Sequence, residues 1–196
     1  MHPDFLNKHQ GVDDMKNRWL LTLTLMTLVL AACTQPSPDA APPVSDEEEA
    51  FELYLVADSQ MGGADLKRYE LGDLPLAEEP IITTGDIDSY LWDIHAINLN
   101  EEAYKKIFAI FSQGMPMSGV PFVIRAKGER IYAGAFWSMA SSLPFDGVTI
   151  LQPFDPAGSP LIISLGYPTQ EFYTGQDPRS DERLRSALEE AGLLFK

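Results

Sequence analysis

VPFVIRAKGERIYAGAF, residues 120–136, holds two runs of strand formers around a turn. Val120-Pro121-Phe122-Val123-Ile124-Arg125 and Arg130-Ile131-Tyr132-Ala133-Gly134-Ala135-Phe136 are rich in β-branched and aromatic side chains. Between them, Lys127-Gly128 supplies the positive φ angles of a tight turn, so the spacing predicts a β-hairpin. Further strands are expected at Phe51-Glu52-Leu53-Tyr54-Leu55-Val56, at Pro80-Ile81-Ile82-Thr83-Thr84, at Ala96-Ile97-Asn98-Leu99, and over residues 147–151 and 161–165. Pro153 and Pro156 mark a turn between the last two. Gly85-Asp86 reads as the start of a short helical turn over 87–90. Residues 59–79, broken by Gly62-Gly63, Gly72 and Pro75, read as a long loop with little regular structure.

Two helices accompany these strands. Asn100 caps the first, Glu101-Glu102 favours its positive end, Ala103, Tyr104, Ile107, Phe108 and Phe111 form its apolar face, and Gly114 stops it. Ser180 is expected to cap the second, whose stripe is Leu184, Ala187, Leu188 and Ala191, with Gly192 as the stop. Strands and helices out of strict alternation indicate an α+β fold, with one mainly antiparallel sheet covered by two helices. There is no internal repeat.

Residues 51–196 carry 21 acidic side chains against 11 Lys plus Arg, a formal balance of −10, with no basic cluster larger than a neighbouring pair. That excludes nucleic acid as the expected partner. An anionic lipid surface repels such a body, so membrane attachment is expected through an anchor and not through a face of the domain. The acidity is read first as a solubility device.

The anchor is legible upstream. Met15-Lys16-Asn17-Arg18 is a short cationic start, and residues 19–30 are apolar without a charge, in a run shorter than the ~20 residues that a membrane span needs. The run closes in Leu30-Ala31-Ala32-Cys33, which holds the chain's single cysteine. This stretch resembles the lipobox of bacterial lipoproteins. The resemblance implies that Cys33 is diacylated and becomes the mature N-terminus, and that residues 15–32 are a signal peptide. Residues 1–14, with Asp4, Asp13 and Asp14, fit that signal poorly and are read as a mis-assigned upstream start. Thr34, in place of an aspartate, implies the outer membrane where the cell has one. Residues 33–50, TQPSPDAAPPVSDEEE at their centre, are too polar and too rich in proline to bury a core and read as an extended tether. With Cys33 lipidated no thiol remains for a disulfide, and residues 51–196 form a single domain that stands on its core.

A second resemblance covers residues 81–135. The order Ile82-Thr83-Thr84-Gly85-Asp86-Ile87, a strand running into Leu99-Asn100-Glu101-Glu102-Ala103, a helix, then Pro121-Phe122-Val123-Ile124 and a hairpin with Ile131 is similar to the periplasmic head of SecD, an accessory subunit of the protein-export machinery. The chain lacks that family's transmembrane segments, and Gly134-Ala135-Phe136-Trp137 has no counterpart in it. The resemblance implies a binding or interaction module on a ferredoxin-like scaffold, with no catalytic residues to carry over. Gly134 to Trp137, Ser141-Ser142 and Phe145 to Val148 are also similar to a segment of uncharacterised secreted bacterial proteins, which implies no function.

Two stretches concentrate chemistry. Asp86, Asp88, Tyr90, Trp92, Asp93 and His95 fall within ten residues, and a carboxylate beside an imidazole suits a divalent metal or an acid and base pair. Because His95 is the single histidine after residue 9, a metal would rely on carboxylates for its other ligands. The plainer reading has Asp86 capping a turn, Trp92 in the core and His95 bonded at a strand edge. In the second stretch Phe136 and Trp137 offer stacking surface for a ligand, or pack inward as core. Ser141-Ser142 lacks the glycines of a nucleophile elbow, and residues 58–63 lack the lysine of a phosphate cradle.

The expectation is a non-enzymatic envelope domain, free of cofactor and metal. It binds a protein or small ligand through Asp86, Asp88, Trp92, Asp93, His95, Phe136 and Trp137. The alternatives are a metal-dependent hydrolase built on Asp86, Asp88, Asp93 and His95, and a self-associating structural component.

Overall fold

A computed structural model describes residues 48–112, 114–152 and 159–196. Cys33, the signal, the tether up to residue 47 and the turn at Pro153 and Pro156 lie outside these residues. The chain divides into two units, and the described residues belong to the second, Glu47–Lys196.

That unit is a mixed α+β fold built on a nine-stranded sheet in the order β2-β1-β5-β6-β7-β8-β4-β3-β9. The strands are β1 (Glu52–Leu55), β2 (Ile82–Thr83), β3 (Ile87–Leu91), β4 (Ala96–Leu99), β5 (Val120–Ala126), β6 (Glu129–Ser138), β7 (Phe145–Gln152), β8 (Leu161–Tyr167) and β9 (Leu194–Phe195). Neighbours are antiparallel except at β6/β7 and β3/β9. The predicted hairpin is β5–β6: Ala126 faces Glu129, and Lys127 and Gly128 take φ of 46° and 75°, as a two-residue turn with both angles positive requires. The sheet exceeds the four strands of the βαββαβ scaffold that the second resemblance implies.

Helix α1 (Glu101–Phe111) starts where Asn100 Oδ1 accepts from the Ala103 amide at 2.9 Å. Helix α2 (Glu182–Glu190) is capped by Asp181, not Ser180: the Asp181 carboxylate accepts from the Arg183 amide at 2.9 Å. Gly192, at φ 71°, closes α2, donating to Glu189 O while Leu193 donates to Leu188 O. Both helices press their buried stripes, Tyr104, Ile107 and Phe111 from one and Leu184, Ala187 and Leu188 from the other, onto the same side of the sheet. There they join Phe122, Ile124, Phe136, Ile150 and Ile163 in the main core.

The two helices do not account for the other side. Strand alternation puts Val123, Ala133, Ala135 and Trp137 there, and residues 59–76 cross it as a strap. The strap holds two 3-10 turns, Gly63–Arg68 and Leu71–Asp73, and buries Met61 and Leu74. Its carbonyls at Leu71, Gly72 and Leu74 accept from Arg130 at 2.6 to 2.9 Å, and the Gly63 amide donates to Ser118 O at 2.7 Å. Lys67 ties the strap to Asp146, whose carboxyl it holds down at about 2, with help from Thr174.

Parallel neighbours ordinarily need a crossover of a dozen or more residues. Here β6 and β7 are joined by residues 139–144 alone. Ser141 Oγ donates to Met117 O at 2.9 Å, and Tyr167 Oη donates to the carbonyls of Met139 and Ser141, which pins this short connection.

The helical turn expected over residues 87–90 is instead strand β3, preceded by a 3-10 turn at Thr84–Asp86. Asp86 closes that turn on itself by accepting from the Thr83 amide at 2.8 Å and hydroxyl at 3.1 Å, and the chain beyond pairs with β4.

Candidate functional site

The segment from Asp86 to His95 runs through β3 and a 3-10 turn, Trp92–Ile94, into β4. Asp86 is taken up by the Thr83 cap. Asp88, Asp93 and Ile94 are exposed, and Trp92 is half-buried beneath the Arg185 guanidinium, 5.9 Å from the ring. Among the described residues no group of three His, Cys, Asp or Glu side chains is placed to hold a metal ion.

His95 is the centre of a different cluster. It sits at φ 48°, ψ 54°, a left-handed position that turns the chain back into β4, and is 7% exposed. Its Nδ1 lies 3.3 Å from Tyr90 Oη and its Nε2 3.5 Å from Ser180 Oγ. Tyr90 and Trp92 pack their rings on it at 6.4 and 5.5 Å. Arg179 donates to Ile163 O at 2.7 Å and grips Asp177 with Nε and Nη2, while the Ile163 amide donates to His95 O. Burial, and then the Arg179 cation, push the imidazole below its ordinary pKa, opposed by Asp177 and Asp93. Burial likewise pushes the Tyr90 and Tyr132 phenols up. The arrangement keeps His95 neutral and uses it to tie the β3–β4 turn to the segment ahead of α2.

This predicts a pH dependence with a definite sign. With the folded pKa below the unfolded value near 6.5, the unfolded chain binds more protons in the interval between them. Stability is therefore full above about 6.5 and falls as the pH drops through that interval. Urea midpoints compared at neutral and mildly acidic pH should fall for the native protein and fall less for His95→Asn, whose side chain tolerates the left-handed backbone. Equal slopes in both proteins would remove His95 as the source. His95 is the single histidine of residues 48–196, so no second imidazole confuses the comparison.

Phe136 and Trp137 do not form one aromatic surface. As neighbours on β6 they point to opposite sides of the sheet, and both are buried. Phe136 packs 4.6 Å from Phe111 and 5.2 Å from Phe122 in the main core, and Trp137 stacks on Phe145 at 4.6 Å, 8° from parallel, under the strap.

Two surfaces went unnoticed in the sequence. The first is a row defined by register: Ile162 faces Ala96, Ala96 faces Leu91, and Leu91 faces Phe195. Paired residues share a side of the sheet, and this is the side opposite Tyr90, Ile97 and Leu161 in the core. The strap crosses only β5 to β7, so Ile162 and Phe195 are 54% and 50% exposed, with Ile94 exposed beside them. The second is a shallow groove of about 360 Å³ between the β5–β6 turn and α2. Its cations are engaged: Arg183 with Asp181 and Glu129, and Lys127 with Glu190. The unbroken apolar run Leu161-Ile162-Ile163 was the available signal for the first; nothing local marks the second.

Among the described residues no helix is long and apolar enough to cross a membrane. No family model, no curated protein and no solved structure matches this chain.

Proposed function

We propose that this is a lipid-anchored protein of the bacterial cell envelope, at the outer membrane where there is one, whose folded unit binds a protein or small ligand and catalyses no reaction. The observation that carries the anchor is the charge-free run closing in Leu30-Ala31-Ala32-Cys33, followed at once by a proline-rich acidic stretch. Binding is supported by the way the polar groups of the Asp86–His95 segment are used. Asp86 serves a cap and His95 serves Tyr90 and Ser180, while Asp88, Asp93 and Ile94 remain exposed. An interaction module, in the sense of the second resemblance, suits that division.

The anchor is tested by Cys33→Ser. The native protein should be found in the membrane fraction with an acylated N-terminal peptide by mass spectrometry, and the variant should carry no acyl chains and leave that fraction on processing. An unmodified Cys33 in the native protein sinks the reading. A stable membrane hold is expected because each buried CH₂ contributes about 0.8 kcal/mol.

Self-association is the second reading, favoured by one observation, the exposure of Ile162 and Phe195 at the two ends of the Ile162–Ala96–Leu91–Phe195 row. Sedimentation of the native protein and Ile162→Lys separates the two. A dimer lost in the variant assigns the row to a second copy; a monomer in both leaves it to another partner.

A further inference from the structure

His95 Nε2 lies 3.5 Å from Ser180 Oγ, and its Nδ1 lies 3.3 Å from Tyr90 Oη. A hydroxyl, an imidazole and a third polar group behind the ring stand in the order that turns a serine into a nucleophile. Ser180 is exposed, His95 is 7% exposed and Tyr90 is fully buried, so the line runs from the surface inward. The outer distance is longer than the about 2.6–3.2 Å of a closed pair, as it commonly is before a substrate arrives.

One residue of β8 holds both partners. The Ile163 amide donates to His95 O at 2.8 Å, and the Ile163 carbonyl accepts from Arg179, the neighbour of Ser180, at 2.7 Å. On the other side of Ser180, Asp181 is fixed as the cap of α2. His95 also keeps a left-handed backbone. Among the described residues the only other side chain to do so is Lys127, whose hairpin turn requires it. Such positions gather where a side chain must be aimed. A merely structural tie would serve with the ring proton on either nitrogen. Activation of Ser180 requires that proton on Nδ1, donated to Tyr90, with the Nε2 lone pair toward the hydroxyl. Burial and the Arg179 cation outweigh Asp177 and Asp93 and hold the imidazole below its ordinary pKa, so a lone pair is present at neutral pH.

We propose, resting on the small-ligand reading above and naming the ligand, that Ser180 captures the acyl group of an activated ester as a covalent adduct, with His95 as its base and Tyr90 as the positioning residue. Ser180 Oγ attacks the acyl carbon and its proton passes to His95 Nε2. The bond from that carbon to the leaving oxygen then breaks, and the leaving group departs with the proton, which returns His95 to its neutral form. One C–O bond forms and one breaks. An aryl ester loses a stabilised leaving group, whereas the acyl-serine is an alkyl ester whose hydrolysis expels an alkoxide. The positive end of α2 offers little help with that second step, because the Asp181 carboxylate already occupies it. The acyl group therefore stays on Ser180.

The test treats the full-length protein with para-nitrophenyl acetate. The expected result is one acetyl group on Ser180 by peptide mass spectrometry, with one equivalent of nitrophenol released and none of the label on Ser186, which is exposed on the same helix. Ser180→Ala should abolish the release, and His95→Asn should slow it roughly a hundredfold. Nitrogen-edited NMR of the native imidazole, with His95 assigned by the loss of its signals in His95→Asn, should find the proton on Nδ1, and Tyr90→Phe should shift it toward Nε2. That measurement needs no substitution that could disturb the native fold. A proton on Nε2 in the native protein overturns the proposal, as does an acetyl group that is missing from Ser180 or arrives as fast in His95→Asn, and each leaves the binding reading in place. Release that continues past one equivalent and stops in Ser180→Ala keeps the nucleophile and base, but overturns the non-catalytic reading on which a lasting adduct rests.

Discussion

Trp137→Ala is expected to lower stability by roughly 3–5 kcal/mol and to release the strap. The indole is 1% exposed, stacked flat on Phe145, and joined in its cluster by Ala135 with Leu66 from the strap. The backbone is cut to its shape. A Cβ on Gly63 would lie 2.9 Å from the ring and one on Gly119, held at φ 75°, would lie 2.4 Å from it. Removing the ring leaves a cavity bounded by a sheet on one side and a strap of 3-10 turns on the other, and the strap is the side that can give way. The urea midpoint should fall, and limited proteolysis should cut within residues 59–76 before the rest of the domain. An unchanged midpoint would mean that Trp137 is not core and would return it to the role of a ligand-stacking surface.

What was legible in the sequence is what neighbouring residues decide among themselves. The β5–β6 hairpin follows from Lys127-Gly128 between two apolar runs, and α1 from Asn100, the glutamates behind it and the 3.6-residue spacing of Ala103, Tyr104, Ile107 and Phe111. These features survive because the turn and the cap are made by residues within a few positions of each other. Strand β3 was misread because its pairing partner β4 lies beyond a turn and its own alternation is broken by a register shift between Ile87 and Ser89. Strand β9, two residues long, exists only as a parallel addition to Tyr90 and Leu91. Ser180 was read as the cap of α2, but Asp181 takes that place and Ser180 instead lies against His95.

The candidate site shows the same boundary. Asp86 as a turn cap was readable, because Thr83 is three residues away. The cluster around His95 was not, since Ser180 is 85 residues distant and Arg179 and Asp177 stand beside Ser180. Likewise a row of Ile162, Ala96, Leu91 and Phe195 comes from four strands, and no window of sequence contains it.

Gly134→Ala should rank with the loss of Trp137, although it adds a single methyl group. Gly134 lies on β6 between Phe122 on β5 and Val148 on β7. A Cβ there would fall 2.5 Å from Phe122 Cζ and 2.7 Å from the Val148 carbonyl oxygen. The ring can tilt, but the oxygen belongs to a paired strand and cannot move without opening the β6–β7 ladder. Overpacking a core position costs about 1–3 kcal/mol, and an unyielding backbone neighbour puts this site at the upper end or beyond. A second substitution tells the two contacts apart. If ring and carbonyl both resist, Gly134→Ala combined with Phe122→Leu should recover part of the lost melting temperature relative to the sum of the single changes, and only part. Full recovery would place all the resistance in the ring. No loss in the single variant would mean that β6 and β7 are not held at this separation, and with it the six-residue crossover between them would fall. Gly72→Ala, where a Cβ meets nothing within 4 Å, is the matched control and should leave the midpoint where it is.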